Sequence, residues 1–270
     1  MTQNAFEGRT VAITGAAGGI GSALARAFGR RGARLALLDL PGPDLESLAS
    51  SLAEAGREAI AVACDVTSDA ACRDAIGSVV GRFGGIDVLV NNAGISHLGR
   101  FAETDVEVLR RVMEVNFFGA VRCTKAALAS IVERRGSVVV LSSVAGFAPL
   151  AGRCGYSASK HALHGLFDSL RVELRAQGAH VLVVCPSFVD TGIGARALGP
   201  DGGAPRIART TTGKPASPDD VAHAIVRATE QRRRMLVLSS VGWISWWLTR
   251  LVPSVYDRLM ERTLLRDEAP

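Results

Sequence analysis

The chain has 270 residues, 48% of them apolar and 21% charged, which is ordinary for a globular protein with a large core. Its formal charge of +5 comes from scattered arginines without interleaved aromatic residues, so we expect a solvated basic surface and no nucleic-acid partner. The five cysteines include no CxxC pair, which argues against a disulfide framework and against a zinc site. The N-terminus lacks a basic start followed by an apolar run, so we expect no secretory signal and a cytoplasmic protein.

The first predicted strand and helix flank a glycine-rich loop. RTVAIT at 9–14 predicts a strand, GAAGGIG follows at 15–21, and SALARAFGRR predicts a helix that ends near Arg31. Glycines allow a backbone to approach a pyrophosphate, which would lie on the free N–H groups at the start of the helix. A tight turn would also use glycine, but the order of strand, loop and helix favours a dinucleotide site containing Gly15, Gly19, Ile20 and Gly21.

The second predicted strand, RLALL at 34–38, ends at Asp39, eighteen residues after Gly21. A carboxylate at this place can accept hydrogen bonds from an adenosine ribose and would repel a 2′-phosphate. Asp39 therefore favours NAD, with NADP the less favoured cofactor. Because Pro41 and Gly42 follow, a turn or helix cap is the alternative role of Asp39.

Five more predicted strands alternate with helices. The strands are at 59–63, 86–90, 137–141, 181–185 and 235–239, and the helices are at 45–55, 70–83, 104–131, 156–175 and 218–231, the last with Ser217 as its N-cap. Apolar strands that alternate with helices indicate a Rossmann-like, doubly wound parallel sheet of about seven strands, covered on both faces. Gly15, Asp39, Asp65 and Asn92 each follow a strand, at the edge where ligands of such sheets bind.

The stretch SSVAGFAPLAGRCGYSASK at 142–160 contains a set of residues suited to proton transfer. Tyr156 and Lys160 are four residues apart and share a helix face. An ammonium group near a phenol favours the phenolate and so lowers a tyrosine pKa from its usual value of about 10. Ser143 lies thirteen residues before Tyr156, across a loop that can fold back over it. Asn116, in a helical run, is by itself more typical of a buried amide with satisfied hydrogen bonds.

The C-terminal third of the sequence is less regular. The glycine-rich segment 192–214 leaves the sheet at the proposed site, which suggests a mobile substrate lid. The apolar run after residue 240 is too short to cross a bilayer, and Trp243, Trp246, Trp247 and Leu251 fall along one helical face. Three roles remain open for it: packing over the substrate pocket or a subunit interface, a membrane-surface helix, and plain core packing. We expect one Rossmann-like domain at 1–240 and a helical extension at 241–270.

Taken together, the motifs resemble the short-chain dehydrogenase/reductase family in its compact single-domain form, over residues 8–240. TGAAGGIG at 14–21 is similar to the family's TGxxxGxG loop, NNAG at 91–94 to its second cofactor turn, and YSASK at 156–160 to its YxxxK motif. Ser187 stands where the family usually has glycine.

The resemblance implies a role for each site residue. Tyr156 would exchange a proton with the substrate oxygen, which Ser143 would hydrogen-bond. Lys160 would lower the tyrosine pKa and hold the nicotinamide ribose, while Asn116 would anchor a water molecule. Further cofactor contacts are implied for Asp65, Val66, Asn92, Ala93, Gly94, Val189 and Thr191.

We therefore expect an NAD(H)-dependent enzyme that interconverts a secondary alcohol and a ketone, with no metal. Phe147, Leu150, Phe188 and Ile193 lie near the site in sequence and predict a mostly apolar pocket for a hydrophobic substrate. The resemblance also implies a homodimer or homotetramer, and a peripheral membrane contact is an alternative role of the tail. The competing hypotheses are a non-catalytic NAD-binding regulator or scaffold, an NADP(H)-preferring carbonyl reductase, and a relative of the sugar-nucleotide epimerases.

Overall fold

The computed structural model describes residues 5–205 and 215–267, with side chains up to residue 262. Its centre is a parallel sheet of seven strands in the order β3-β2-β1-β4-β5-β6-β7. The strands are β1 Thr10–Thr14, β2 Arg34–Asp39, β3 Ala59–Ala63, β4 Val88–Asn91, β5 Ser137–Leu141, β6 His180–Cys185 and β7 Met235–Val237. The predicted doubly wound sheet is confirmed. The strand order reverses direction between β1 and β4, which opens a crevice at their carboxyl ends.

Helices cover both faces of the sheet. They are α1 Gly19–Arg30, α2 Pro43–Glu54, α3 Asp69–Phe83, α4 Val106–Met113, α5 Gly119–Glu133, α6 Cys154–Leu174, α7 Pro218–Glu230, α8 Ser240–Leu251 and α9 Pro253–Asp267. One apolar core lies between the sheet and α1, α2 and α7, and a second lies between the sheet and α3, α5 and α6. Along β1, Val11 and Ile13 belong to the first core and Ala12 to the second. Such strands are apolar throughout because both of their faces are buried.

Two helices carry features that bear on the site. The predicted N-cap of α7 is present, since the Ser217 hydroxyl accepts a hydrogen bond from the Asp220 amide at 3.1 Å. The single helix predicted at 104–131 is instead interrupted by one π-helical stretch, Glu114–Phe118, between α4 and α5. A π-helical stretch widens the helix and is frequently found at functional sites. Here it carries Asn116.

The same helical stretch, Val106–Glu133, is the one described helix that is long and apolar enough to pass a length-and-composition test for a membrane span. Its side chains at Ala120, Ala127 and Ile131 lie in the core beneath the sheet. However, only 33% of the apolar 18-residue window in this stretch is buried, so core packing accounts for part of its apolar composition.

Candidate active site

The glycine loop is packed so closely that a side chain would clash at Gly15 and Gly21 and would be tight at Gly19. A Cβ atom at Gly21 would lie 2.1 Å from the Gly15 carbonyl oxygen, and one at Gly15, where φ is +63°, would lie 2.8 Å from Ala93 Cα. A Cβ atom at Gly19 would lie 3.0 Å from Thr191 Cβ. The N-cap of α1 is Gly18, which has no side chain to cap the N–H groups of the first turn. The first turn also contains no acidic residue. Gly18, Gly19 and Ile20 border a cavity, and the free N–H groups at the start of a helix suit an anionic group such as a pyrophosphate.

The turn after β4 is tied to the glycine loop by hydrogen bonds. Thr14 Oγ1 accepts hydrogen bonds from the amides of Asn92 and Ala93, at 3.0 and 3.1 Å. In return, Asn92 Nδ2 donates to the carbonyls of Thr14 and Gly15, at 3.0 and 2.9 Å. The Asn92 side chain thus fixes the shape of the loop, while the turn itself borders the cavity.

The two acidic residues predicted at strand ends both border the cavity. Asp39 accepts hydrogen bonds from the amide of Ala17 through Oδ2 at 2.9 Å and from the amide of Leu40 through Oδ1 at 2.8 Å. Asp39 therefore orders the glycine loop and the turn after β2, and it borders the cavity. The helix-cap alternative is wrong, because the N-cap of α2 is Gly42. Asp65 Oδ1 accepts from the amide and hydroxyl of Thr67, at 2.9 and 2.7 Å.

Tyr156 and Lys160 lie on α6, with Lys160 Nζ 5.6 Å from the centre of the tyrosine ring. Lys160 is buried, and its ammonium donates to the carbonyl of Leu141 at 2.7 Å. Burial lowers the pKa of Lys160 to about 8, because the charged form loses its hydration. The group still carries a positive charge at pH 7, beside the phenol.

The adjacent serines make different contacts. Ser143 Oγ accepts a hydrogen bond from the Ala145 amide at 3.1 Å and donates a long one to the Pro186 carbonyl at 3.4 Å. Ser142 Oγ donates to the backbone carbonyl of Lys160 at 3.2 Å and so helps to hold α6 against β5. Both serines border the cavity, so the choice of Ser143 as the serine of the site stays a prediction.

Asn116 lies behind these groups and has a full set of partners. Its Nδ2 donates to the Ile95 carbonyl at 2.9 Å and to Ser159 Oγ at 3.0 Å, and its Oδ1 accepts from the Ile95 amide at 2.8 Å. A Cβ atom at Gly94 would lie 3.2 Å from Asn116 Oδ1 and 3.7 Å from Lys160 Nζ. The amide is therefore a buried, satisfied group that also borders the space around the lysine.

One cavity of about 970 Å³ joins nearly all of the predicted site. Its walls include Gly15, Gly19, Ile20, Asp39, Asp65, Val66, Asn92, Ala93, Gly94, Ser143, Tyr156, Lys160, Val189 and Thr191. Gly21 and Asn116 do not border it: the first packs inside the glycine loop, and the second is buried behind Gly94. The cavity extends from the glycine loop, with its adjacent carboxylates, to the Tyr156 phenol.

The chain was compared with known protein families and with individual proteins. The family model described as short chain dehydrogenase matches residues 9–198. The chain belongs to this family. The protein "Dehydrogenase/reductase SDR family member 7B" of Danio rerio is 37% identical over 263 residues, which are 94% of this chain and 85% of that protein. Its counterpart in Bos taurus is 38% identical over 258 residues, 93% of this chain and 79% of that one.

Two solved structures extend the comparison to the fold. A short chain dehydrogenase/reductase from Burkholderia phymatum, in complex with NAD, has a TM-score of 0.83 at 27% identity and covers 94% of this chain and 96% of its own. A short-chain dehydrogenase from Streptomyces avermitilis has a TM-score of 0.76 at 31% identity and covers 97% and 99%. The chain is thus an oxidoreductase of a family that binds NAD or NADP.

The substrate end of this short-chain dehydrogenase departs from the sequence-based expectation in its details. Leu150, Phe188 and Ile193 border the cavity as predicted, but Phe147 does not. Phe147, at the end of the 3₁₀ turn Val144–Gly146, is buried instead, with its ring 6.0 Å from that of His164. The cavity wall also contains Arg153, which is only 9% exposed. The sequence did not indicate this arginine, because its neighbours predicted an apolar wall.

The C-terminal helices α8 and α9 contribute to the cavity wall through Val241, Ser245, Tyr256 and Met260. Tyr256 is buried, and its hydroxyl donates to the Pro149 carbonyl at 3.0 Å. Trp246 packs against the core, whereas Trp243 and Trp247 are 45% and 53% exposed. The predicted single tryptophan face is therefore divided between the protein interior and the surface.

Two loop predictions have separate outcomes. The proposed lid at 192–214 is described only as far as residue 205, where Ile193, Gly194 and Arg196 border the cavity; its threonine run at 210–212 lies outside the described residues. Ser187 requires no glycine-like conformation, because among the described residues only Arg135 and Arg232 combine a side chain with a positive φ.

Proposed function

We propose that this protein is an NAD(H)-dependent oxidoreductase that interconverts a secondary alcohol and a ketone on a mostly hydrophobic substrate. The observation that carries the proposal is the shared cavity: the Tyr156 phenol, with buried Lys160 beside it, opens into the same space as the glycine loop and Asp39. A proton-transfer group and a cofactor cradle in one cavity are what carbonyl reduction requires. A nicotinamide cofactor, when bound, supplies or accepts the hydride.

The residues of α6 and β5 would manage the proton. In the direction of reduction, Tyr156 donates its phenolic proton to the substrate oxygen as that oxygen gains negative charge, and in oxidation the phenolate takes the proton back. The ammonium of Lys160, 5.6 Å from the ring centre, favours the phenolate electrostatically. The Ser143 hydroxyl, at the cavity wall, would hydrogen-bond the same substrate oxygen and stabilise its developing charge.

The preference for NAD over NADP rests on Asp39. Its carboxylate borders the cavity close to the glycine loop, to which it is hydrogen-bonded through the Ala17 amide. A ribose 2′-hydroxyl can donate to a carboxylate, whereas a 2′-phosphate would be repelled by it.

The hydrophobic substrate class is supported by the apolar side chains at the other end of the cavity, which include Leu150, Phe188, Ile193, Val241 and Met260. The test is a panel of secondary alcohols and ketones of increasing apolar size, followed by NADH absorbance. We expect kcat/KM to rise with the apolar area of the substrate. Tight NADH binding without turnover of any compound would instead support a non-catalytic regulator.

We also propose a membrane contact and an oligomeric state for this protein. The exposed apolar side chains of α8 and α9, including Trp243, Ile244, Trp247, Leu251 and Leu259, suit a peripheral membrane contact. Co-sedimentation with phospholipid vesicles tests it, and binding that survives Trp243→Ser with Trp247→Ser would contradict it. A homodimer or homotetramer is tested by analytical ultracentrifugation, in which a pure monomer would contradict it.

A further inference from the structure

Three buried cysteines that are distant in sequence meet beneath one end of the cavity. Cys64 directly follows β3, Cys72 lies in the first turns of α3, and Cys123 lies on α5. Their three sulfur atoms are all within 4.8 Å of one another, and those of Cys72 and Cys123 are 3.6 Å apart. Cys64 is 3% exposed, and both others are fully buried. We call this group the three-cysteine cluster.

The spacing of the sulfur atoms is close to that of a metal–thiolate site. With Zn–S bonds of about 2.3 Å, tetrahedral coordination places neighbouring sulfur atoms about 3.8 Å apart. The three-cysteine cluster therefore needs inward shifts of only about 1 Å or less to reach this geometry. A backbone oxygen is also close to the cluster, because the Val66 carbonyl lies 3.7 Å from Cys72 Sγ.

We propose that Cys64, Cys72 and Cys123 form a binding site for a soft divalent d¹⁰ metal ion, Zn²⁺ or its analogue Cd²⁺, with the Val66 carbonyl oxygen as a fourth ligand. Thiolates select soft ions over Mg²⁺ or Ca²⁺. Three thiolates with a divalent ion leave one buried negative charge, whereas a monovalent ion would leave two, so burial favours the divalent ion. Binding exchanges thiol protons for metal–sulfur bonds and involves no oxidation or reduction.

The surroundings offer the site partial charge compensation and a way in. The Arg122 guanidinium, which is also paired with Glu114, lies within 3.5 Å of the Val66 carbonyl oxygen. Cys64 and Val66 both border the cavity, so Cys64 is the member of the three-cysteine cluster that an ion in the cavity would meet first. The site would join the end of β3 to α3 and α5, three elements otherwise held together by apolar packing.

The test uses the full chain, reduced and treated with a chelator, and titrated with Cd²⁺. We expect one ion per chain, an ultraviolet sulfur-to-cadmium charge-transfer band, and a raised Tm. Cys72→Ala should weaken Cd²⁺ binding by about 100-fold or more, since even outer partners of metal ligands contribute 10- to 100-fold. The matched control is Cys154→Ala, which removes a half-buried thiol outside the cluster and should leave the band unchanged.

X-ray absorption of the zinc-loaded protein keeps the test decisive if Cys72→Ala does not fold. We expect three sulfur neighbours at about 2.3 Å. Two or fewer sulfur neighbours, no charge-transfer band, or a band that Cys72→Ala leaves intact would overturn the proposal. Oxidation of reduced protein to a Cys72–Cys123 disulfide, without any metal–thiolate band, would also overturn it and assign the pair to redox chemistry.

Discussion

The buried ammonium of Lys160 has a consequence for stability that can be measured separately from activity. Its pKa falls from an ordinary 10.5 to about 8 in the folded protein, because burial removes its hydration. A shift of this size corresponds to about 3 kcal/mol of destabilisation at pH 7, where the folded protein must hold the charge. Between pH 8 and pH 10.5 the folded state has released a proton that the unfolded state still binds, so stability rises with pH in this window.

The perturbation is Lys160→Met, which removes the charge and keeps much of the side-chain length. At pH 7 the relief of about 3 kcal/mol is offset by loss of the hydrogen bond to the Leu141 carbonyl, which costs about 1–3 kcal/mol. The change of this stability difference with pH is a more decisive quantity than its value at pH 7. The free energy of unfolding of the wild type minus that of Lys160→Met should increase by about 2–3 kcal/mol from pH 7 to pH 10.

The assay is urea unfolding of both proteins at a series of pH values. Comparing the two proteins cancels the titration of every other group that behaves alike in both. The matched control is Lys125→Met, which removes an exposed ammonium group from α5. If the difference between wild type and Lys160→Met is constant across pH 7–10, the lysine is not desolvated as described, and the reasoning fails.

Two further predictions concern the cofactor cradle. Gly21→Ala would place a Cβ 2.1 Å from the Gly15 carbonyl oxygen, so we expect lost NADH binding by fluorescence titration and a destabilisation of about 1–3 kcal/mol. Its control is Gly77→Ala on the exposed side of α3, where a Cβ meets nothing within 4 Å and should stabilise by about 1 kcal/mol; a Gly21→Ala protein that binds NADH normally would contradict the loop geometry. Asp39→Asn keeps an acceptor for the Ala17 amide but removes the charge, so the ratio of kcat/KM for NADPH over NADH should rise about tenfold, or about 1.4 kcal/mol. A wild type that already prefers NADPH strongly would show that Asp39 does not repel the 2′-phosphate.

The sheet and most of the cavity were predictable from the sequence because their signals are local. Each strand is a short apolar run between turn residues, and parallel strands bring their carboxyl ends to one edge whatever the details of packing. That is why Gly15, Asp39, Asp65 and Asn92, distant in sequence, were expected at one edge and do border one cavity.

Features that depend on tertiary packing were not predictable in this way. The π-helical stretch at Asn116 arises where one long helix meets α6, and nothing in the local sequence indicates it. The three-cysteine cluster was not predicted, because metal sites are usually recognised in a sequence by ligands only a few residues apart. Cys64, Cys72 and Cys123 meet only after α3 and α5 pack together. The prediction that Phe147 borders the cavity was wrong, and Arg153 was not predicted to border it. Both errors arise because proximity to Tyr156 in sequence does not determine which residues border the cavity.

The central claim is that Tyr156 exchanges the proton that accompanies hydride transfer. The most direct measurement is the steady-state kinetics of Tyr156→Phe on the best substrate of the panel, together with its affinity for NADH. We expect kcat/KM to fall by about 100- to 10,000-fold, the usual contribution of a positioned acid or base, while NADH affinity is largely kept. Undiminished turnover by Tyr156→Phe would contradict the mechanism.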